Sequence, residues 1–158
     1  VRYENPYKEL IHQFKFKGSW RVRPFLVNTF LEGFSRYFKG EQFDGVVPVP
    51  LHWIRHFQRE FNQAEVLAGA LTESLSIPML DKAIRRVRHT TPQSRLTGRW
   101  RESHLEGAFA AGSIPVDGLK VLLVDDVMTT GMTLSACAEV LRANGAASVT
   151  AYALARRV

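Results

Sequence analysis

The sequence is nearly free of cysteine: Cys137 is the single one among 158 residues. An internal disulfide is excluded, and a reducing cytoplasm is the expected compartment. No His/Cys grouping has zinc-ligand spacing, which excludes a structural zinc site of that kind within these residues. No apolar run approaches the ~20 residues that span a bilayer, and no signal peptide opens the chain, so membrane insertion is not expected. The pattern Gly-x-x-x-x-Gly-Lys-Ser/Thr is also missing, which removes P-loop nucleotide chemistry. The chain starts Val1-Arg2-Tyr3 without methionine and reads as a piece of something longer.

What is present is ordinary in amount and uneven in placement. Hydrophobic residues make up 46% and charged residues 23%, values of a soluble globular domain with a proper core. The formal net charge of +6 favours anionic partners such as phosphates or nucleic acid. From Lys82 to Arg101 there are seven Lys/Arg and no Asp or Glu, the most basic part of the chain. Within it, Arg95, Arg99, Trp100 and Arg101 combine cations with an aromatic ring, the pairing that holds single-stranded nucleic acid. Core burial is the competing role for the tryptophan.

The most informative stretch is Val121-Leu-Leu-Val-Asp-Asp-Val-Met-Thr-Thr-Gly-Met-Thr133. Its apolar start, Lys120 to Val124, predicts a fully buried strand. Asp125 and Asp126 stand where that strand is expected to end, and a helix is expected from Thr133 to Ala143. A loop that feeds a helix start offers unpaired N–H groups and the positive end of the helix dipole, both of which attract phosphate. Gly131 lets backbone approach an anion, and Thr129, Thr130 and Thr133 supply hydroxyls. The carboxylates suit sugar hydroxyls. A phosphorylated ribose matches both halves.

Around this stretch the periodicity alternates between strand and helix. Helices are predicted over Tyr7 to Phe16, after Asn5-Pro6, and from Pro24 onward. In the first, Leu10, Ile11 and Phe14 face inward, with Lys8, Lys15 and Lys17 outside. In the second, Phe25, Leu26, Phe30, Leu31 and Phe34 read as core. Phe43 to Pro50 supplies a strand that its prolines end, followed by a loop from Leu51 to Phe61. Asn62-Gln63-Ala64-Glu65 is a variant capping box for the next helix. Short strands at Ile84 to Val87 and Gly107 to Ala111 and a last one at Val149 to Ala155 complete an α/β chain. Its open, mainly parallel sheet is flanked by helices and holds its ligand at the carboxyl ends of the strands. Cys137, inside a predicted helix, reads as a buried inert thiol.

The run from Val121 to Thr133 closely resembles the phosphoribosyl-diphosphate (PRPP) motif of type I phosphoribosyltransferases. Further segments widen the likeness: Val47-Pro-Val-Pro-Leu-His52, Arg59-Glu-Phe-Asn-Gln-Ala-Glu65, Thr91-Pro-Gln93, Leu96, Arg101, Gly107-Ala-Phe109 and Leu10-Ile-His-Gln-Phe-Lys-Phe16. Together they are similar to the ComF/GntX family, phosphoribosyltransferase-like proteins of which some serve natural competence. The resemblance implies that Asp125 and Asp126 hold the ribose hydroxyls, while the loop through Val127, Met128, Thr129, Thr130, Gly131, Met132 and Thr133 binds the 5-phosphate. It further implies Arg55 and Arg59 at the diphosphate, Mg²⁺ brought by PRPP rather than held by the protein, and competence-machinery proteins as partners. Residues 1–43 become an N-terminal helical segment and candidate hood, and 44–158 the phosphoribosyltransferase-like domain. The chain departs from the family pattern at Glu60, usually glycine, and at His104, usually asparagine. A binding module for PRPP or a nucleotide that also holds single-stranded DNA is the alternative to a transferase.

Overall fold

A computed structural model describes residues 1–16, 21–51, 61–87 and 107–157. Along the described chain run α1 (Tyr7–Phe16), α2 (Arg23–Tyr37), β1 (Gly45–Pro48), α3 (Gln63–Leu75), β2 (Ile84–Arg86), β3 (Phe109–Ala111), β4 (Lys120–Met128), α4 (Met132–Ala143) and β5 (Ser148–Arg156). The main sheet is parallel throughout, in the order β1-β4-β5. Strands buried on both faces need continuous apolar sequence, and Val46-Val47 and Val121 to Val124 provide it. The fold is therefore the open parallel α/β sheet expected, with helices on both faces. β2 and β3 stand apart from it as a separate antiparallel pair.

The two sheet faces carry two cores. Val47, Val121 and Leu123 pack with Leu134, Cys137, Ala138 and Leu141 of α4, and with Ile84 and Phe109 of the small pair. Val46, Leu122, Val124 and Leu154 pack with Ile11 and Phe14 of α1, Phe30 and Phe34 of α2, and Leu67 and Leu71 of α3. Alternate residues of β4 from Val121 to Val124 thus supply alternate faces, as a pleated strand requires. Leu26, Phe30 and Phe34 are core as expected, but Phe25 is half exposed and stacks on Tyr7 with ring centroids 6.1 Å apart. The Tyr152 ring stacks on Phe30 at 4.5 Å while its hydroxyl donates to the Phe30 carbonyl at 2.8 Å.

A short stretch of chain pairs with each end strand of the sheet over part of its length. Beside β1, the Val46 N–H donates to the Pro78 carbonyl and the Leu80 N–H to the Val46 carbonyl. Beside β5, Arg2 bridges Arg156 in parallel.

The central strand is longer than expected. It runs to Met128 because β5 continues to pair with it, through Asp125 with Ala153, Val127 with Ala155 and Met128 with Arg156. On the other side the ladder stops at Pro48 with Val124, where the Val49 N–H makes a last bond to the Val124 carbonyl at 2.8 Å. Asp125 and Asp126 therefore lie inside a strand, at the point where it loses one of its two neighbours.

The capping box predicted at the start of α3 is present in a cross-linked form. The Asn62 Oδ1 accepts from the Ala64 N–H, and its Nδ2 donates both to Glu65 Oε1 and to the Val49 carbonyl, each at 3.1 Å. Asn62 is 2% exposed, so its amide ties the helix start to the end of β1 with little competition from water. Asn62→Ala is expected to lower unfolding free energy by about 1–3 kcal/mol, measurable by urea denaturation.

Candidate functional site

The end of β4 gathers the polar groups. Asp125 Oδ1 accepts the N–H of Asp126 at 2.8 Å, which folds the first carboxylate onto the backbone of the next residue. Two adjacent carboxylates in this setting resist ionising together. Asp125 is half-buried. Its pKa is pushed up to about 7, first by burial and next by the Asp126 charge; the Asp126 N–H and the Lys15 ammonium act in the opposite direction.

Asp126 has a partner that the sequence reading placed in solvent. Lys15 Nζ, on α1, lies 2.6 Å from Asp126 Oδ2, with side-chain exposures of 17% and 12%. The contact is an ion pair rather than a directed hydrogen bond, since Oδ2 is buried and has no hydrogen-bond donor aligned on it among the described residues. Lys15 is therefore not outside. It follows Ile11 by one helical turn, and Ile11 is fully buried, so its stem runs along the same stripe before its ammonium reaches the carboxylate. Lys8 is exposed as expected, and Lys17 lies outside the described residues.

Beyond the carboxylates the chain makes a tight turn into α4, which begins at Met132, one residue earlier than the pattern suggested. Thr129 and Thr130 are exposed, and Gly131, Met132 and Thr133 are half-buried. Gly131 sits at φ +79°, in the left-handed region, and a Cβ there would meet only the Met128 Sδ, at 3.7 Å. Conformation, more than space within the protein, demands glycine. No side chain caps the helix start, which leaves its first-turn N–H groups available to an anion. Val127, Met128 and Met132 rest their side chains against the two cores, so their offering to a ligand is backbone. Beneath the turn Cys137 is buried, and burial followed by the Asp125 charge pushes its thiol pKa far above the ordinary range. Its burial is as expected, and a thiol held protonated is a poor nucleophile.

The structure thus brings together the acidic pair, the threonine-glycine turn and a helix start, and adds Lys15. Arg55, Arg59, Arg95, Arg99, Trp100 and Arg101 lie outside the described residues. No helix among the described residues is long and apolar enough to cross a membrane.

The raised Asp125 pKa ties stability to pH. The folded chain holds this proton above the ordinary value of 3.8, so the stabilising contribution is complete below pH ~4 and is lost as pH rises through about 7. Asp125→Asn removes that loss. Compared by thermal denaturation at pH 5 and pH 8, the variant gains on the native chain by on the order of 2 kcal/mol at the higher pH.

Comparison with known proteins adds the family. The phosphoribosyl transferase domain model matches residues 62–158. The DNA utilization protein YhgH of Salmonella typhimurium is 38% identical over 157 residues, covering 98% of this chain and 69% of that protein. Competence protein F of Haemophilus influenzae is 33% identical with the same two coverages, 98% and 69%. Among solved structures, the purine phosphoribosyltransferase of Pyrococcus horikoshii aligns with a TM-score of 0.52 at 18% identity, over 87% of this chain and 74% of its own. The adenine phosphoribosyltransferase of Saccharomyces cerevisiae aligns with a TM-score of 0.55 at 15% identity, over 89% and 72%. At such identities these structures show a shared type I phosphoribosyltransferase fold. Family model and relatives together place the chain: it belongs to the phosphoribosyl transferase domain family, in the ComF/GntX branch that contains the DNA utilization and competence proteins.

Proposed function

We propose that this chain binds PRPP at the carboxyl end of β4. The observation that carries the reading is the continuity of one short segment: two carboxylates inside the strand, a hydroxyl-rich turn held by Gly131, and a helix start with no side-chain cap. In this reading Asp125 and Asp126 accept the 2- and 3-hydroxyls of ribose. The N–H groups of residues 129–133 and the hydroxyls of Thr129, Thr130 and Thr133 hold the 5-phosphate. Arg55 and Arg59 offset the diphosphate.

The reaction open to such a site is phosphoribosyl transfer. A nitrogen nucleophile bonds to the anomeric carbon as the bond to diphosphate breaks, and the leaving diphosphate takes the electron pair. The donor set fits Mg²⁺ arriving with its substrate. No cluster of three or more His, Cys, Asp or Glu among the described residues could cage a metal, whereas diphosphate oxygens and water are its usual ligands. When bound, Mg²⁺ neutralises diphosphate charge. The chain's own residues orient the ribose and anchor its phosphate, leaving the anomeric carbon facing the nucleophile.

Calorimetry with PRPP and Mg²⁺ tests this reading. The native chain is expected to bind, and Asp125→Asn/Asp126→Asn to bind at least about tenfold more weakly, because charged acceptors for sugar hydroxyls are lost. Equal binding by both proteins would sink the site assignment.

A second reading draws on the relatives named for DNA utilization and competence. Here the chain is a PRPP- or nucleotide-binding module whose basic stretch holds single-stranded DNA, with Arg95, Arg99 and Arg101 on phosphates and Trp100 under a base. In a single-strand DNA titration across salt concentrations, Arg99→Ala/Arg101→Ala is expected to weaken binding and flatten its salt dependence by one to two charges, roughly, of released counterion. Unchanged affinity and slope would remove that stretch from consideration.

A further inference from the structure

Two carboxylates at the mouth of a site for a polyanion pose an electrostatic problem. Each full negative charge within ~10 Å of a phosphorylated ligand opposes its binding, and partial burial weakens the screening that water would provide. The sequence alone leaves this unresolved, since the nearest cations in the motif's own neighbourhood, Arg142 and Lys120, lie at the far end of α4 and at the start of β4. The structure supplies a cation from 111 residues upstream, Lys15 on Asp126 Oδ2 at 2.6 Å.

Three features make that contact a built one. First, α1 is fixed: Ile11 and Phe14 are fully buried, and the Phe14 ring packs at 5.3 Å against Phe61, the residue before the Asn62 cap. The ammonium is therefore delivered by a helix anchored to the sheet and not by a free surface stem. Second, both partners are largely withdrawn from water, unlike a typical exposed pair of little energetic consequence. Third, Asp126 Oδ2 has no aligned hydrogen-bond donor among the described residues, so Lys15 sets the charge balance on that oxygen.

We infer that Lys15 is a positioning residue of the ligand site: its ammonium fixes the Asp126 carboxylate and offsets its charge, so that a phosphorylated sugar can dock beside an acidic pair. The inference rests on the PRPP reading above. It assigns to α1 a role in specificity that the strand-turn-helix motif does not contain. Of the pair's two carboxylates, the ammonium offsets the charge on Asp126.

Calorimetry with PRPP and Mg²⁺ on Lys15→Gln, Lys15→Arg, Asp126→Asn and the Lys15→Gln/Asp126→Asn pair tests it, with thermal denaturation as the check on folding. Lys15→Gln keeps a hydrogen-bond donor but no charge, and is expected to bind about tenfold more weakly. Lys15→Arg restores the charge and is expected to bind within about twofold of the native chain. In the Asp126→Asn background the group that Lys15 pairs with no longer carries a charge, so adding Lys15→Gln is expected to change affinity little, a non-additivity that a purely structural role would not produce. Native affinity in Lys15→Gln overturns the inference. So does the same loss in both backgrounds, which would mean that Lys15 acts independently of Asp126. If Lys15→Gln alone does not fold, the Asp126→Asn background carries the comparison, where loss of affinity overturns the inference and unchanged affinity supports it. A native chain that binds no PRPP overturns the parent reading as well, whereas a native chain that binds, with indifferent variants, overturns this inference alone.

Discussion

The end of the β1–β4 ladder at Val124 is the constraint on which the site depends. Pro48 and Pro50 cannot donate to a ladder, and β1 stops pairing between them with the single bond from Val49. β4 nevertheless continues for four residues, because β5 still pairs with it. The result is a strand anchored on one side and open on the other, carrying two carboxylates at the opening. Were β1 to extend further, the Asp126 N–H would have a backbone partner and Asp125 would lose its reason to fold back onto it. The Asn62 amide reinforces the stop, since it binds the Val49 carbonyl and starts α3 from the same point.

The same opening sets the electrostatics. A carboxylate at the open end of a strand is near enough to water for a ligand to reach, yet close enough to the core for ionisation to be costly. Asp125 carries that cost as a raised pKa, and Asp126 pairs with Lys15. The candidate site is carried at the expense of stability, in the sense that a neutral amide at Asp125 would suit the fold better at neutral pH. Functional positions commonly show this tension between local preference and global fold. The buried Cys137 below it follows the simpler rule: an apolar surrounding keeps a thiol protonated and unreactive.

How much of this was legible in the sequence depends on whether the signal was local. Strand Val121 to Val124, the Asn62 cap and the glycine turn at Gly131 rest on neighbours within a few residues, and they were readable. The length of β4 was not, because aspartate is a poor strand former and two in a row read as a terminus; only pairing with Ala153 and Ala155 overrides that preference. β2 and β3 were readable as short strands but not as a separate antiparallel pair, since their register joins residues 23 or more apart in sequence. Lys15 was misplaced for a related reason. At the edge of the Ile11–Phe14 stripe a lysine ordinarily reaches out to water, and nothing near it in sequence announces the carboxylate it meets instead.

That last case bears on where the site's boundaries lie. The family model begins at residue 62, and the strand-turn-helix motif lies wholly within it. The relatives, by contrast, match over 98% of the chain, including the segment that carries α1. Packing gives a physical reason for the longer match: Ile11 and Phe14 lie in the same core as Leu122 and Val124, the residues that hold the acidic pair in place. A shift of α1 would move both the floor beneath Asp126 and the cation beside it. The acidic end of β4 and the N-terminal helix are therefore mechanically one object, and a substitution on the buried face of α1 would be felt at the end of β4 although it touches no part of the motif.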